Sequence, residues 1–249
     1  MYVSYDIGTD RISCLETEGD KKLVHVPGFG YEAWYYSSPS YVDTLTDNGF
    51  GMLIPQISAR HEVRSRPITI DDHVSILSEF IEEASSQHDL SLLYLSGHSF
   101  GGTIALEYAD RNPENIRGVI AMNACLPIKH ARWRHIYNYS MLLLDGILGK
   151  EDNMRDKLFP YMDNLIRLGT DAIKILDEIV DYSIGTSPLD VPAVDVHSRN
   201  DRLYAMTDDI SRQFAQKRVE VIEVDAGHNW CISHPSQAAN LIVELFSGI

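Results

Sequence analysis

A serine with small neighbours stands at residues 97–101, Gly97-His98-Ser99-Phe100-Gly101, directly after the apolar run LLYLS and directly before a helical pattern. This G-x-S-x-G spacing between a strand and a helix describes a sharp, strained turn. Only small flanking residues let the chain fold back so tightly, and the strain lifts the serine hydroxyl clear of the strand. The Phe100 N–H, at the helix start, is then placed to face an oxyanion. The chemistry would be nucleophilic attack on a carbonyl. Taken alone, the pentapeptide also suits a glycine-rich turn with no chemistry.

A serine hydroxyl is a weak nucleophile and needs a base, which in turn needs an orienting acid. The segment EVDAGHNW puts His228 in a loop just after a predicted strand, and VDVHSRNDRLY puts Asp201 just after the preceding one. Ser99, Asp201 and His228 therefore each follow a strand, at one edge of a parallel sheet. The other histidines suit the base role less well. His98 is expected to point across the turn and serve packing or hydrogen bonding. His25 and His197 fall within strands, His234 starts the last helix, and His130 and His135 fall in a strand-free segment. Among the acids, Asp195 alternates within its strand, and Asp225 is placed to form the turn before His228. The position after the sixth strand offers Asn123, not a carboxylate. A second oxyanion donor would come from the loop VPGFG, where Gly28 and Gly30 permit close backbone approach and the Phe29 N–H is the candidate.

The elements that must hold these residues follow from the apolar pattern. MYVSYDIG and RISCLETEG read as an antiparallel hairpin at a sheet edge. KKLVHV, FGMLIPQ, LSLLYLSG, IRGVIAMN, VPAVDVHS and VEVIEV read as further strands, several of them continuously apolar as parallel strands buried on both faces should be. Helical spacing separates them at YVDTLTDNG, TIDDHVSILSEFIEEASSQH, residues 100–110, MTDDISRQFAQK and PSQAANLIVELFSG. From 128 to 189 no strand is evident and three or so helices are expected. The simplest organisation is an α/β core of residues 1–127 and 190–249 carrying a helical insertion at 128–189, over the strand ends where open α/β sheets bind ligands.

With 249 residues the chain can form one large α/β domain. Its formal charge of -15 disfavours nucleic acid and anionic membrane as main partners, since both need a positive face. The three cysteines, Cys14, Cys125 and Cys231, are scattered without disulfide or zinc spacing, as for free thiols in a reducing compartment. No apolar run is long enough to span a membrane, and MYVSYDIGTDRISC does not read as a secretory signal. A cytoplasmic monomer or homodimer without cofactor or metal is the expectation. No P-loop, dinucleotide fingerprint or metal cluster is present in the sequence.

The motifs VPGFG, GHSFGG, NPENIRGVIAMN, HSRNDRL and DAGHNW, spread over nearly the whole chain, resemble those of α/β-hydrolase fold enzymes of the capped esterase, lipase and lactonase type. The resemblance implies a mostly parallel, doubly wound, eight-stranded sheet with an inserted helical cap. It also implies a Ser99–Asp201–His228 triad and an oxyanion hole from the Phe29 and Phe100 amides. Serine, not aspartate, at position 99 separates the chain from the haloalkane dehalogenases and epoxide hydrolases of similar fold. Relatives usually carry His-Gly where this chain has Pro27-Gly28. That histidine generally braces the oxyanion loop, so the departure bears on loop geometry and not on the reaction type. Gly28, Trp34, Trp133, Tyr137 and Trp230 are the candidate pocket residues, and an insertion rich in aromatics favours an apolar or aromatic small-molecule acyl substrate. A cofactor-free lyase, C–C bond hydrolase or cyclase, or a low-turnover ligand receptor, are the alternatives on the same scaffold.

Overall fold

The computed structural model describes residues 1–8, 10–57, 69–125, 155–168, 170–182, 185, 187–201 and 203–249. Eight strands are present: β1 (Tyr2–Ile7), β2 (Asp10–Glu16), β3 (Lys21–Val26), β4 (Phe50–Pro55), β5 (Leu93–His98), β6 (Ile116–Met122), β7 (Ala193–Ser198) and β8 (Glu220–Val224). They form one sheet in the order β1-β2-β4-β3-β5-β6-β7-β8. β1 pairs antiparallel with β2, and β2 antiparallel with β4. All other neighbours are parallel. β4, β5 and β7 are buried along their whole length, whereas β1 alternates at the edge. Strands covered on both faces are predominantly apolar, and the polar side chains they bury are paired, as Asp195 and His197 of β7 are with each other.

The helices are α1 (Pro39–Asp47), α2 (Ile70–Ala84), α3 (Phe100–Arg111), α4 (Arg155–Leu168), α5 (Thr170–Asp181), α6 (Asp208–Lys217), α7 (Trp230–Ser233) and α8 (Pro235–Ser247). They divide between the two sheet faces. Val74, Leu77 and Phe80 of α2 join Ile104 and Tyr108 of α3 in one core. Tyr41 and Leu45 of α1 join Ala238, Ile242 and Phe246 of α8 in the other. The start of α2 is fixed by a reciprocal cap: the Asp72 N–H donates to Thr69 Oγ1 (3.0 Å), and the Thr69 N–H donates to Asp72 Oδ2 (2.9 Å). Such a cap contributes about 1 kcal/mol.

Between β6 and β7 the described residues include two helices, α4 and α5, and no strand. The expected helix over WRHIYNYSMLLLDGIL lies outside the described residues. α4 rests on the loop that follows β3, where Asn164 Nδ2 donates to the Gly30 carbonyl at 3.2 Å.

The strand order reverses between β3 and β5, which run parallel side by side while the chain leaves them in opposite directions. A crevice opens at such a switch point. Two glycines make the approach of α3 to the sheet possible. A Cβ on Gly97 would collide with the backbone of Gly101, and one on Gly101 with the carbonyls of Val26 and Pro27. The obstacle is backbone in both cases, so nothing can swing aside. Gly101→Ala is therefore expected to cost roughly 3 kcal/mol, a fall in Tm of about 6–12 °C for a chain of this size, measurable by thermal denaturation.

Candidate active site

Ser99 closes β5 and serves as the N-cap residue of α3 with φ 54° and ψ -121°. A left-handed backbone at a residue with a Cβ costs on the order of 1–3 kcal/mol and persists only where the surroundings enforce it. They do so from two sides. The Ser99 N–H donates to the Met122 carbonyl at 2.8 Å, and the Ser99 carbonyl accepts from the N–H groups of Gly102, Thr103 and Cys125. A serine at a helix N-cap ordinarily turns its hydroxyl onto the first-turn amides. Here it makes no such bond, and Oγ lies 2.9 Å from His228 Nε2.

His228 lies in the loop between β8 and α7, and Asp201 follows β7. Their side chains meet at 2.7 Å, Nδ1 to Oδ2. The other Asp201 oxygen, Oδ1, accepts from the Leu203 and Tyr204 N–H groups at 2.8 and 3.0 Å. All three side chains are buried, Ser99 the least so at 7% exposed. Burial by itself raises the pKa of Asp201. The charge and hydrogen bond of His228, together with the Tyr204 N–H, outweigh it and hold the carboxyl below its usual value. A carboxylate only accepts, so His228 directs an Nδ1 proton at Asp201; when the imidazole is neutral, Nε2 is then bare and can accept from the serine hydroxyl. The three residues proposed from sequence are thus brought together in one hydrogen-bonded chain.

Asp195, the rival acid, is engaged elsewhere. Its oxygens accept from the Ala124 N–H (3.0 Å) and face His197 Nδ1 (3.1 Å). Asn123, at the position after β6, donates through Nδ2 to the His228 carbonyl (2.6 Å) and to Ser198 Oγ (3.0 Å). It fixes the histidine loop and contributes no charge.

The cavity over Ser99 is lined by Phe29, Tyr31, Phe100, Cys125, Tyr161, Ile179, Leu203, Tyr204 and His228. Phe29 and Phe100 meet edge to face, ring centres 6.2 Å apart. Three expected pocket residues are not in this lining. Gly28 lies beneath the loop, its N–H donating to the Tyr36 hydroxyl (3.2 Å). Trp34 stacks on Tyr35 at 4.0 Å and donates through Nε1 to Glu32, away from Ser99. Trp230 is buried in α7 within the core on the α8 side of the sheet. Trp133 and Tyr137 lie outside the described residues. Nearness in sequence to Phe29 or His228 did not disclose which way a turn or a one-turn helix rotates its side chains.

Cys125, Leu203 and Tyr204 were missed. Leu203 and Tyr204 line the pocket because their amides wrap the Asp201 carboxylate, a local turn that the spacing after Asp201 could have suggested. Cys125 Sγ stands 3.1 Å from Ser99 Oγ. Burial pushes its thiol up to about 12, so it stays protonated at neutral pH and is a poor nucleophile beside Oγ. Its place after β6, on the same edge as Ser99, was the available signal.

A mostly parallel sheet whose strand ends gather a serine on a strained turn, an aspartate and a histidine is the architecture of an α/β-hydrolase. The chain's sequence agrees, and it belongs to the hydrolase family described as serine aminopeptidase, S33, whose model matches residues 17–221. No curated protein matches it in sequence. Solved structures match across the chain at low identity. A putative lipase from Acinetobacter baumannii is 16% identical with a TM-score of 0.74, covering 100% of this chain and 91% of its own. A serine hydrolase from Cycloclasticus zankles is 16% identical with a TM-score of 0.77, covering 100% and 98%. An enol-lactonase from Burkholderia xenovorans is 16% identical with a TM-score of 0.74, covering 98% and 100%. At these identities the likeness is one of fold.

The lowered pKa of Asp201 has a pH signature. A group with a depressed folded-state pKa contributes stability above its unfolded value, about 3.9 for aspartate, and loses it as pH falls through the folded value. The stability gap between wild type and Asp201→Asn, measured by urea unfolding, is expected to be widest above about pH 5 and to shrink below about pH 4.

Proposed function

We propose that the protein is a serine hydrolase that cleaves a carboxylic ester, thioester or lactone through an acyl-enzyme on Ser99. The observation that carries this reading is the continuous chain from Ser99 Oγ through His228 to Asp201, at 2.9 and 2.7 Å. Both distances are within the range needed for direct proton transfer. His228 Nε2 takes the hydroxyl proton as Oγ attacks the carbonyl carbon. The Phe29 and Phe100 amides hold the tetrahedral oxyanion, and the imidazolium returns its proton to the leaving oxygen or sulfur. Water, deprotonated by the same imidazole, then releases the acid. Asp201 stays ionised throughout and stabilises the imidazolium.

The lining of the cavity supports an apolar or aromatic acyl group. Among the described residues its lining holds no Asp, Glu, Lys or Arg side chain, so an ionic substrate would meet no permanent counter-charge. Tyr161 of α4 and Ile179 of α5 reach this lining, in keeping with 128–189 acting as a cap that roofs the site. The lipase, enol-lactonase and serine hydrolase that share the fold fit the same chemistry. The three buried free cysteines fit a reducing, cytoplasmic setting. Among the described residues no helix is long and apolar enough to cross a membrane. A monomer or homodimer acting on small molecules is the corresponding assembly.

A fluorophosphonate probe should label the wild-type protein and not Ser99→Ala. Nitrophenyl esters and acyl thioesters of graded chain length should be turned over, with kcat falling roughly 10³–10⁴-fold in Asp201→Asn. Folded wild-type protein that neither labels nor turns over any of these would overturn the proposal in favour of C–C bond, lyase or receptor chemistry.

A further inference from the structure

We infer that Tyr36 and His98 are positioning residues: they form a buried, one-way hydrogen-bond relay that locks the loop bearing the Phe29 amide to the loop bearing His228. The inference rests on the serine-hydrolase reading above. The relay runs through three contacts. The Gly28 N–H donates to the Tyr36 hydroxyl at 3.2 Å. That hydroxyl lies 2.9 Å from His98 Nδ1. His98 Nε2 lies 3.1 Å from the His228 carbonyl. Both side chains are buried, Tyr36 at 2% and His98 at 0% exposed.

The direction of each bond follows from its end point. A carbonyl only accepts, so His98 must carry a proton on Nε2. Burial holds the His98 imidazole well below its ordinary pKa, and the nearby His228 adds to this, so the ring is neutral and Nδ1 is bare. The Tyr36 hydroxyl must then donate to Nδ1, which leaves its oxygen lone pair to accept from the Gly28 N–H. Donation runs one way, from Gly28 through Tyr36 and His98 to His228.

What the relay sets is the place of residue 29. Gly28 opens a tight turn in which the Tyr31 N–H donates to the Gly28 carbonyl (3.0 Å) and Gly30 takes φ 75°. This is the geometry of a type II turn, with glycine where the positive φ falls. The Phe29 amide sits inside that turn, so holding Gly28 holds the donor. The room for His98 also exists because residue 28 lacks a side chain: a Cβ there would stand 3.1 Å from His98 Nδ1. At the other end, the His228 carbonyl accepts from both His98 and Asn123. A second strut runs parallel, from the Tyr31 hydroxyl to Asn229 Oδ1 at 2.9 Å.

Tyr36→Phe removes one oxygen and keeps the ring. Tyr41→Phe is the matched control, because the Tyr41 hydroxyl is equally buried but has no hydrogen-bond partner among the described residues. With a nitrophenyl ester, Tyr36→Phe is expected to lower kcat about 10–100-fold, the scale of misplacing one oxyanion donor, with KM changed less than about threefold. Affinity for an arylboronic acid, which mimics the tetrahedral oxyanion, should fall in parallel, and Tyr41→Phe should match wild type. ¹⁵N spectra should show His98 protonated on Nε2 alone, with the Nδ1 signal shifting in Tyr36→Phe. An unchanged kcat in Tyr36→Phe, an equal loss in Tyr41→Phe, a loss explained by unfolded protein, or a proton on His98 Nδ1 would each overturn the relay. Failure of wild-type protein to label with fluorophosphonate would count against the hydrolase reading instead, and the ¹⁵N result would still decide the relay.

Discussion

One residue held in an unfavourable backbone conformation, Ser99 at φ 54°, is the constraint that organises its neighbourhood. Its carbonyl and N–H are tied by hydrogen bonds to α3 and to the turn after β6. Those ties require α3 to come so close to β3 and β5 that side chains are forbidden at Gly97 and Gly101. Thr103 adds a further tie, its hydroxyl donating to the Cys125 carbonyl at 2.6 Å. The strain is thus enforced by backbone packing that the sheet and helix cannot relax separately.

Around that point the site is built from buried polar groups joined by hydrogen bonds. Two imidazoles lie side by side, 5.3 Å between ring centres, and they carry their protons on opposite nitrogens. His228 is driven to protonation on Nδ1 by the carboxylate beneath it, and His98 to protonation on Nε2 by a carbonyl. Burial makes each such choice binding, because an unmatched lone pair or proton costs on the order of 1–3 kcal/mol. The same tautomer logic keeps the base free for the serine.

The central strands, the hairpin edge and α2 were plain in the sequence because burial on both faces or on one helical stripe leaves an unmistakable apolar pattern. Ser99, Asp201 and His228 were legible for a related reason: each follows a parallel strand, so chain order alone places them at one edge. The pocket wall was not legible in the same way. Trp34 and Trp230 turn into other packing, and their fate depends on the rotation of short turns that carry no periodicity. Tyr36 was invisible because its role depends on a contact with His98, sixty-two positions away in the chain.

Helix α4 and the loop after β3 share a boundary. Tyr161 of α4 stacks on Tyr31 at 4.7 Å, and the Cβ-less face of Gly30 is filled by the Tyr161 ring. Asn164 closes the contact at the Gly30 carbonyl. The helix that borders the entrance is therefore also the one that clamps the turn bearing the Phe29 amide. The cavity wall and the turn at Gly30 draw on the same few contacts, so they cannot be adjusted independently. A substitution at Tyr161 therefore changes the cavity lining and the turn at Gly30 together. On the hydrolase reading proposed above, breadth of substrate acceptance and speed of turnover would be mechanically opposed.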